Sequence, residues 1–208
     1  MPLAPLARAI GVAMSWYVRL VAATSPVRGA IGREQVVLAF WHEFNLATVV
    51  VALAQRGDLP HASFSTRGFR GIVISVMLER LNVRVVPLPP EASDRAESLA
   101  LAVRMARLAR GGSSLVVTPD GPFGPYRSAK PGALIVARAS GLPILPIAVE
   151  ARPSLRLRRW DRHVLPLPFS RLRVRTGPPI GVGKRQAIGP LLSVLEERLD
   201  QVSGSPAG

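Results

Sequence analysis

A histidine stands where a buried strand ends and a helix begins. Gln35–Trp41 is a mostly apolar run typical of a buried strand, His42 follows directly, and Phe44–Gln55 has a helical pattern. In open α/β sheets ligands bind beyond the carboxyl ends of the strands, where an imidazole can act as a general base. The alternative is a histidine that caps the helix or forms a hydrogen bond in the core. His61, in a predicted loop, and His163, in a basic segment, lack this placement.

A second candidate is the loop Val116–Arg127, which also leaves a predicted strand. Its two glycines and three prolines make the loop stiff. The loop holds the carboxylate of Asp120, and the cations Arg127 and Lys130 lie at its end and just beyond. A fixed carboxylate beside cations suits recognition of an anionic substrate. The alternative is a stiff connector whose charges are only solvated.

The elements that must position these residues alternate between strand and helix patterns. The predicted strands cover residues 35–41, 83–88, 114–118, 144–149 and 171–175. The predicted helices cover residues 44–55, 68–81, 94–110 and 131–140, and a last one begins at Pro190. The third helix opens with a capping box formed by Asp94 and Glu97. This alternation predicts a single α/β domain over residues 26–202, with a mostly parallel mixed sheet flanked by helices, and a disordered tail at 203–208.

One predicted strand region, Leu142–Ile147, contains two prolines, Pro143 and Pro146. A proline has no N–H group to donate to a neighbouring strand. We therefore expect this strand to lie at an edge of the sheet or to carry a bulge.

These segments resemble the glycerolipid acyltransferase superfamily, which includes the lysophospholipid acyltransferases. The closer resemblance is to a small bacterial branch long catalogued as a domain of unknown function. It extends over residues 36–182 and implies a glycerol-3-phosphate acyltransferase-like fold. The matching blocks are Trp41-His42, Pro119-Asp120-Gly121-Pro122 with Gly124-Pro125, Pro131-Gly132-Ala133, Gly141-Leu142-Pro143-Ile144, Trp160-Asp161-Arg162 and Pro166-Leu167-Pro168-Phe169.

The resemblance also implies a reaction. In this family the motif histidine, here His42, deprotonates an acceptor hydroxyl that attacks the thioester of acyl-CoA or acyl-carrier protein. The acyl thioester is a co-substrate, and no cofactor is implied. The family loop that binds the acceptor's phosphate is matched by Pro119–Pro122, so Gly121 and Pro122 are expected to bind substrate.

One departure from the family concerns the residue that orients His42. The wider superfamily has an aspartate five residues after its histidine, whereas this chain has Ala47, as the small branch usually does. Two nearby carboxylates in the motifs are candidates for the same role. They are Asp120 in the loop and Glu43, the next residue along the chain. Asp120 is expected to be catalytic together with His42, and Glu43 is also expected to bind substrate.

A second departure concerns the acceptor's phosphate. The small branch usually has an arginine after its Asp-Gly-Pro motif, whereas this chain has Phe123. Arg127 or Lys130 is therefore expected to hold the phosphate, unless the acceptor is of another kind. A lysophospholipid, glycerol 3-phosphate and a lipid A precursor are all compatible acceptors.

Composition limits both the chemistry and the partners. The 208 residues include no cysteine and three widely spaced histidines, so no thiol nucleophile and no metal site are expected. The chain has 27 Lys and Arg against 13 Asp and Glu, a formal net charge of +14 and a pI of about 11.8. Its mean hydropathy of +0.26 is high for a nucleic-acid-binding protein. We therefore expect anionic membrane lipids as partners and no nucleic acid.

Residues 1–25 are predicted to form an apolar interfacial helix. Ten uncharged residues precede Arg19, which is too few to cross a bilayer. Trp16, Tyr17 and Arg19 are the expected membrane contacts. An ordinary packed helix and a cleaved signal peptide are the alternatives. On the interfacial interpretation, removing residues 1–24 should release the protein from membranes and leave the domain folded.

A basic belt at residues 152–175 holds eight arginines and one acid, Asp161, and it includes Trp160. Arginines around an aromatic side chain suit the surface of an anionic leaflet, so Trp160 is a further expected membrane contact. A nucleic-acid patch and a merely solvated face are the alternatives.

The leading hypothesis is a peripheral O-acyltransferase at the cytoplasmic face of the cell membrane. The alternative, from another class, is a non-catalytic lipid-binding or scaffold module on the same fold. A nucleic-acid-binding protein is a third hypothesis, and it rests on charge alone. The donor, the chain length and the oligomeric state are open at this point.

Overall fold

A seven-stranded sheet runs through the part of the chain that the computed structural model describes, residues 3–88 and 95–204. The strands are β1 (Val27–Arg28), β2 (Val37–Ala39), β3 (His61–Ser65), β4 (Val83–Pro87), β5 (Ser114–Val117), β6 (Ile144–Arg156) and β7 (Val164–Thr176). The helices are α1 (Ala4–Thr24), α2 (Asn45–Arg56), α3 (Gly68–Arg80), α4 (Arg95–Arg110), α5 (Gly132–Ser140) and α6 (Ile188–Ser203). Asp94 of the predicted capping box and residues 205–208 of the predicted tail lie outside the described residues.

The strand order is β1-β7-β6-β2-β5-β3-β4. Neighbouring named strands pair in parallel, except that β6 and β7 pair antiparallel. This arrangement confirms the predicted α/β domain with a mostly parallel mixed sheet. β2 lies between β5 and β6, and its three residues have no exposed surface. Such burial explains the continuous apolar run, because a parallel strand covered on both faces has no polar side.

Two strands were missed by the sequence prediction. β3 begins at His61, which was expected in a loop, and it contains Ser63 and Ser65 in place of an apolar run. Its pairing with β4 on one side and β5 on the other makes it a strand despite that composition. β1 has only two residues and is defined by its pairing with β7. Long-range pairing decides both cases, and no local pattern reports it.

The expectation that the proline-containing strand lies at an edge is wrong. β6 is an interior strand, and its register break lies between Arg152 and Ser154, away from Pro143 and Pro146. Pro143 precedes β6. Pro146 accepts a hydrogen bond from the backbone N–H of Gly177, one residue beyond β7. Neither missing N–H therefore falls inside the ladder between β6 and β7.

Helix α1 packs as an element of the domain. Val18 and Val21 belong to the hydrophobic core, and a Cβ atom on Gly11 would lie 2.7 Å from the backbone oxygen of Val73 in α3. Ser15 accepts a hydrogen bond from Nε of Arg80, the last residue of α3. We therefore expect removal of α1 to uncover core residues. This packing argues against the prediction that the domain folds without residues 1–24.

The same helix meets the length and composition of a membrane span. It has 21 residues and a mean hydropathy of 1.3. It is therefore longer than the stretch of ten uncharged residues counted from the sequence. Core helices of soluble proteins and signal sequences meet the same measures. The packing against α3 is therefore the more specific observation about α1.

Candidate active site

The candidate active site lies at the carboxyl end of β2. Beyond β2 the chain continues through two fully buried aromatic residues, and His42 then opens a short 3-10 helix, His42–Phe44, that leads into α2. The neighbouring strand β5 ends at Val117, and Asp120 follows in the adjacent loop. The two motifs that the sequence singles out therefore meet at one edge of the sheet, where ligands bind in open α/β folds.

Asp120 holds the backbone of His42. Its Oδ1 and Oδ2 atoms both accept the backbone N–H of His42, each at 3.1 Å, and its side chain has no exposed surface. Burial raises the pKa of Asp120 to about 7, the hydrogen bond from His42 opposes the rise, and the charges of Asp161 and Glu43 add to it. Asp120 thus fixes the end of β2 and does not contact the imidazole ring that it was expected to orient.

The imidazole ring of His42 has other neighbours. Its Nδ1 atom lies 3.3 Å from Oγ1 of Thr118, at the end of β5. Its Nε2 atom lies 4.0 Å from Oδ2 of Asp161, and the ring centroid lies 5.4 Å from that of Trp160. The ring is therefore held between the β5 loop and the turn that connects β6 to β7.

Burial lowers the pKa of His42 to about 4. The charge of Asp161 opposes this effect, while His163 and Arg159 add to it. At neutral pH the imidazole is therefore uncharged and carries the lone pair that a general base needs.

Glu43 anchors an ion-pair network away from the imidazole. Its buried carboxylate accepts hydrogen bonds from Nε of Arg127 at 2.7 Å, Nη1 of Arg156 at 3.0 Å and the hydroxyl of Tyr126 at 3.0 Å. Arg127 also donates to the backbone oxygen of Gly204, next to α6. These contacts tie the loop, β6 and α6 together. Glu43 and Arg127 are therefore engaged with other protein groups, and their expected binding of substrate stays a prediction.

The other expected substrate-binding residues occupy different places. Pro122 and the exposed Phe123 line the cavity in front of His42. Gly121 has a φ of +68°, and the side chain of the exposed Lys130 passes beside it. Neither Gly121 nor Lys130 is among the described residues that line the cavity. The predicted phosphate-binding set is therefore not assembled around His42.

A cavity of about 380 Å³ extends from His42 to helices α1 and α3. Its walls are largely apolar and include Ile10 and Met14 of α1 and Phe69, Val73, Ile74 and Met77 of α3. Ile10 and Phe69 are more than one third exposed and Phe123 is 80% exposed, so apolar side chains surround its opening. The cationic side chains in its wall are Arg70 and Arg159, among the described residues. The sequence analysis singled out neither arginine.

The turn between β6 and β7 supplies a group of polar residues that the sequence analysis missed. Asp161 is fully buried, and its Oδ2 atom lies 3.7 Å from Nδ1 of His163. Arg159 Nε lies 3.4 Å from the other oxygen of Asp161. Asp161 was counted only as the single acid of a basic belt. The sequence feature that could have identified Asp161 as a site residue was its position in the Trp160-Asp161-Arg162 block. Within the described residues, no group of three or more potential ligand side chains could hold a metal ion.

The expected membrane contacts separate into two sets. Trp16 is 61% exposed on α1, where Leu6, Ile10 and Leu20 are exposed as well, and Leu3 is exposed just before the helix begins. Tyr17 donates from its hydroxyl to the backbone oxygen of Pro166 at 2.7 Å, and Arg19 donates to that of Arg80. Trp160 packs against His42 and the backbone of Gly124, where a Cβ atom would lie 2.7 Å from its ring. Trp160 is therefore part of the site, and its expected contact with a membrane surface stays a prediction.

Comparison with known proteins leaves the family open. No family model matches the chain. The chain is similar to an uncharacterized protein of Rickettsia prowazekii (strain Madrid E), with 24% identity over 183 residues that cover 83% of this chain and 81% of that protein. This relative carries no stated activity that could be compared with the site.

Proposed function

We propose that the protein is an O-acyltransferase that moves a fatty acyl chain from acyl-CoA or acyl-carrier protein to a hydroxyl group of a lipid acceptor such as a lysophospholipid. The observation that carries the proposal is a neutral imidazole, His42, at the polar end of a largely apolar cavity. A proton acceptor beside space of this kind suits a reaction between a hydroxyl group and a substrate with a hydrocarbon chain.

In the proposed reaction His42 moves one proton. The proposed tautomer has its proton on Nδ1, which lies 3.3 Å from Thr118 Oγ1. Nε2 then carries the lone pair that takes the proton of the acceptor hydroxyl. The hydroxyl oxygen attacks the thioester carbonyl carbon, the C–O bond forms and the C–S bond breaks. The departing thiolate then receives the proton from the imidazolium. No enzyme group is acylated, which is compatible with a chain that has no cysteine.

The charges at the cavity suit an anionic group on the substrate. Arg70 at the start of α3 and Arg159 near the β6–β7 turn both line the cavity and have exposed side chains. They replace Arg127 and Lys130 as the cations available to a phosphate of the acceptor or donor, because Arg127 is occupied by Glu43. Arginine suits this task since its planar group can form two hydrogen bonds to one phosphate.

The proposed location is the cytoplasmic face of the cell membrane. The exposed apolar side chains of α1, with Leu3 just before it, form an outward face, defined here by Leu3, Leu6, Ile10, Trp16 and Leu20. Ile10 belongs both to this outward face and to the cavity wall. A bilayer in contact with the outward face would therefore lie beside the cavity opening, and anionic lipids would attract the net positive charge.

The test is acyl transfer by purified protein on vesicles that contain a lysophospholipid, with acyl-CoA and acyl-carrier protein as alternative donors. We expect His42→Gln to lower turnover at least about a hundredfold, as loss of a general base does. The matched control is His61→Gln, because His61 lies outside this cavity and bonds to Arg56 and Leu59.

Vesicle co-sedimentation of the same proteins separates the two function classes. If the protein is an acyltransferase, His42→Gln should lose acyl transfer and keep vesicle binding. The parent protein could instead bind the vesicles without transferring an acyl chain to the lysophospholipid. That result would favour the non-catalytic lipid-binding module. Turnover of His42→Gln within a few-fold of the parent would refute the proposed mechanism.

A further inference from the structure

The turn between β6 and β7 brings a buried carboxylate to the imidazole of His42. Asp161 has no exposed surface, and its Oδ2 atom lies 4.0 Å from Nε2 of His42 and 3.7 Å from Nδ1 of His163. It follows His42 by more than a hundred residues and reaches it only because β6 and β7 extend beyond the end of β2. The carboxylate is thus positioned by tertiary structure at the candidate base.

Both oxygens of Asp161 are buried without a hydrogen bond from the described residues. A buried carboxylate without a hydrogen bond destabilises the folded protein, unless a nearby positive charge or hydrogen-bond donor offsets its loss of hydration. Arg159 supplies part of that charge at 3.4 Å from Oδ1. Burial lowers the pKa of both imidazoles on the side that faces His42 and His163, so neither histidine supplies a permanent positive charge there.

His42 would carry a positive charge on this side of Asp161 when it accepts a proton. We propose that Asp161 is a positioning residue that stabilises the imidazolium of His42, and so supplies from the β6–β7 turn the carboxylate that position 47 lacks. This inference rests on the proposed function for its role in turnover. Its electrostatic part concerns the protein alone.

The charges around His42 fix the direction of the effect. Asp161 favours the protonated ring, whereas Arg159 and His163 disfavour it. Asp120 accepts a hydrogen bond from the backbone N–H group of His42, and Thr118 Oγ1 lies near Nδ1. Loss of the Asp161 charge should therefore lower the pKa of His42 further and make it a weaker base. Loss of the Arg159 charge should raise that pKa.

The experiment is an NMR titration of the histidine rings together with turnover measurements. Asp161→Asn removes the charge and keeps the size of the side chain, whereas Asp161→Ser removes the charge and makes the side chain smaller. One of the two remains informative if the other fails to fold. We expect His42 to become protonated only at a lower pH than in the parent. We expect turnover at pH 7.5 to fall at least about tenfold, with a smaller change in KM. Asp161→Glu should retain more turnover, and Arg159→Gln should shift the titration of His42 to higher pH.

The outcomes separate this inference from the proposed function. Asp161 would be shown to serve His163 alone if its neutral variants moved the titration of His163 and left that of His42 and turnover unchanged. The titration needs no substrate. A parent protein without acyl transfer would therefore refute the proposed function, while a shifted His42 titration in the Asp161 variants would still support the coupling.

Discussion

Both carboxylate oxygens of Asp120 accept the single backbone N–H of His42, each at 3.1 Å. This contact joins the segments that leave β2 and β5. It therefore fixes the position of the His42 backbone that carries the imidazole. The same carboxyl group is fully buried, and its pKa is raised to about 7. One residue therefore sets the geometry of the site and makes its stability depend on pH.

Asp120→Asn should change stability in a pH-dependent way. The raised pKa means that, between about pH 4 and pH 7, the folded protein keeps a proton that the unfolded chain has lost, so this group's contribution falls as pH rises. The amide has no such loss. The free energy of unfolding of Asp120→Asn relative to the parent should therefore be higher at pH 8 than at pH 5, by up to about 3 kcal/mol.

Urea unfolding of both proteins at the two pH values measures this difference. The lowered pKa of His42 has the opposite effect, because its stabilising contribution grows as pH rises from about 4 to 6.5. It is present in both proteins and cancels in the comparison. A relative stability that is constant with pH, or falls as pH rises, would contradict the assignment of a raised pKa to Asp120.

Gly11→Ala should destabilise the domain. The added Cβ atom would lie 2.7 Å from the backbone oxygen of Val73 and 2.8 Å from Cβ of Val76, so α1 and α3 would have to separate. Overpacking of this kind costs about 1–3 kcal/mol. Gly132→Ala is the matched control, since its Cβ atom would meet nothing within 4 Å at the start of α5. Thermal unfolding of the two variants should differ. Equal stability would show that α1 is not held against α3.

Glutamate on the outward face of α1 should weaken membrane binding. Leu6 is 53% exposed and Leu20 is 50% exposed, so Leu6→Glu combined with Leu20→Glu leaves the core unchanged. The variant loses apolar contact with lipid and gains repulsion from anionic headgroups, and we expect binding to anionic vesicles to fall at least about tenfold. Leu99→Glu, at a leucine that is 60% exposed on α4, is the control for added negative charge. Co-sedimentation that is equally weakened by the control would argue against α1 as the docking element.

Local patterns were sufficient for the central part of the fold. The buried run of β2 followed by His42, and the stiff loop around Asp120, could be predicted because each depends on neighbouring residues in the chain. The same is true of the helices α2, α3 and α5. Each end of these helices differs from its predicted position by no more than one residue. These elements place His42 and Asp120 at one edge of the sheet.

Tertiary contacts decide the rest of the site. The basic belt was interpreted from its charge, but Arg156 turns inward to Glu43 and Arg159 approaches Asp161. Trp160 belongs to the same belt and packs beside His42. A row of arginines in a sequence does not distinguish a solvated cation from one that neutralises a buried carboxylate. Only the antiparallel pairing of β6 with β7 shows which arginines do so.

The pairing of β1 with β7 has a consequence for synthesis of the protein. Val27 and Arg28 lie beside Leu172 and Arg173, so β1 is paired only by residues that are made more than a hundred residues later. β2 likewise acquires its neighbour β6 only after residue 144 has been made. A nascent chain that already contains His42 and Asp120 therefore exposes an unpaired edge of β2 until β6 has been made. Such an edge attracts other strands, which predicts that this chain engages chaperones during translation more than its length alone would require.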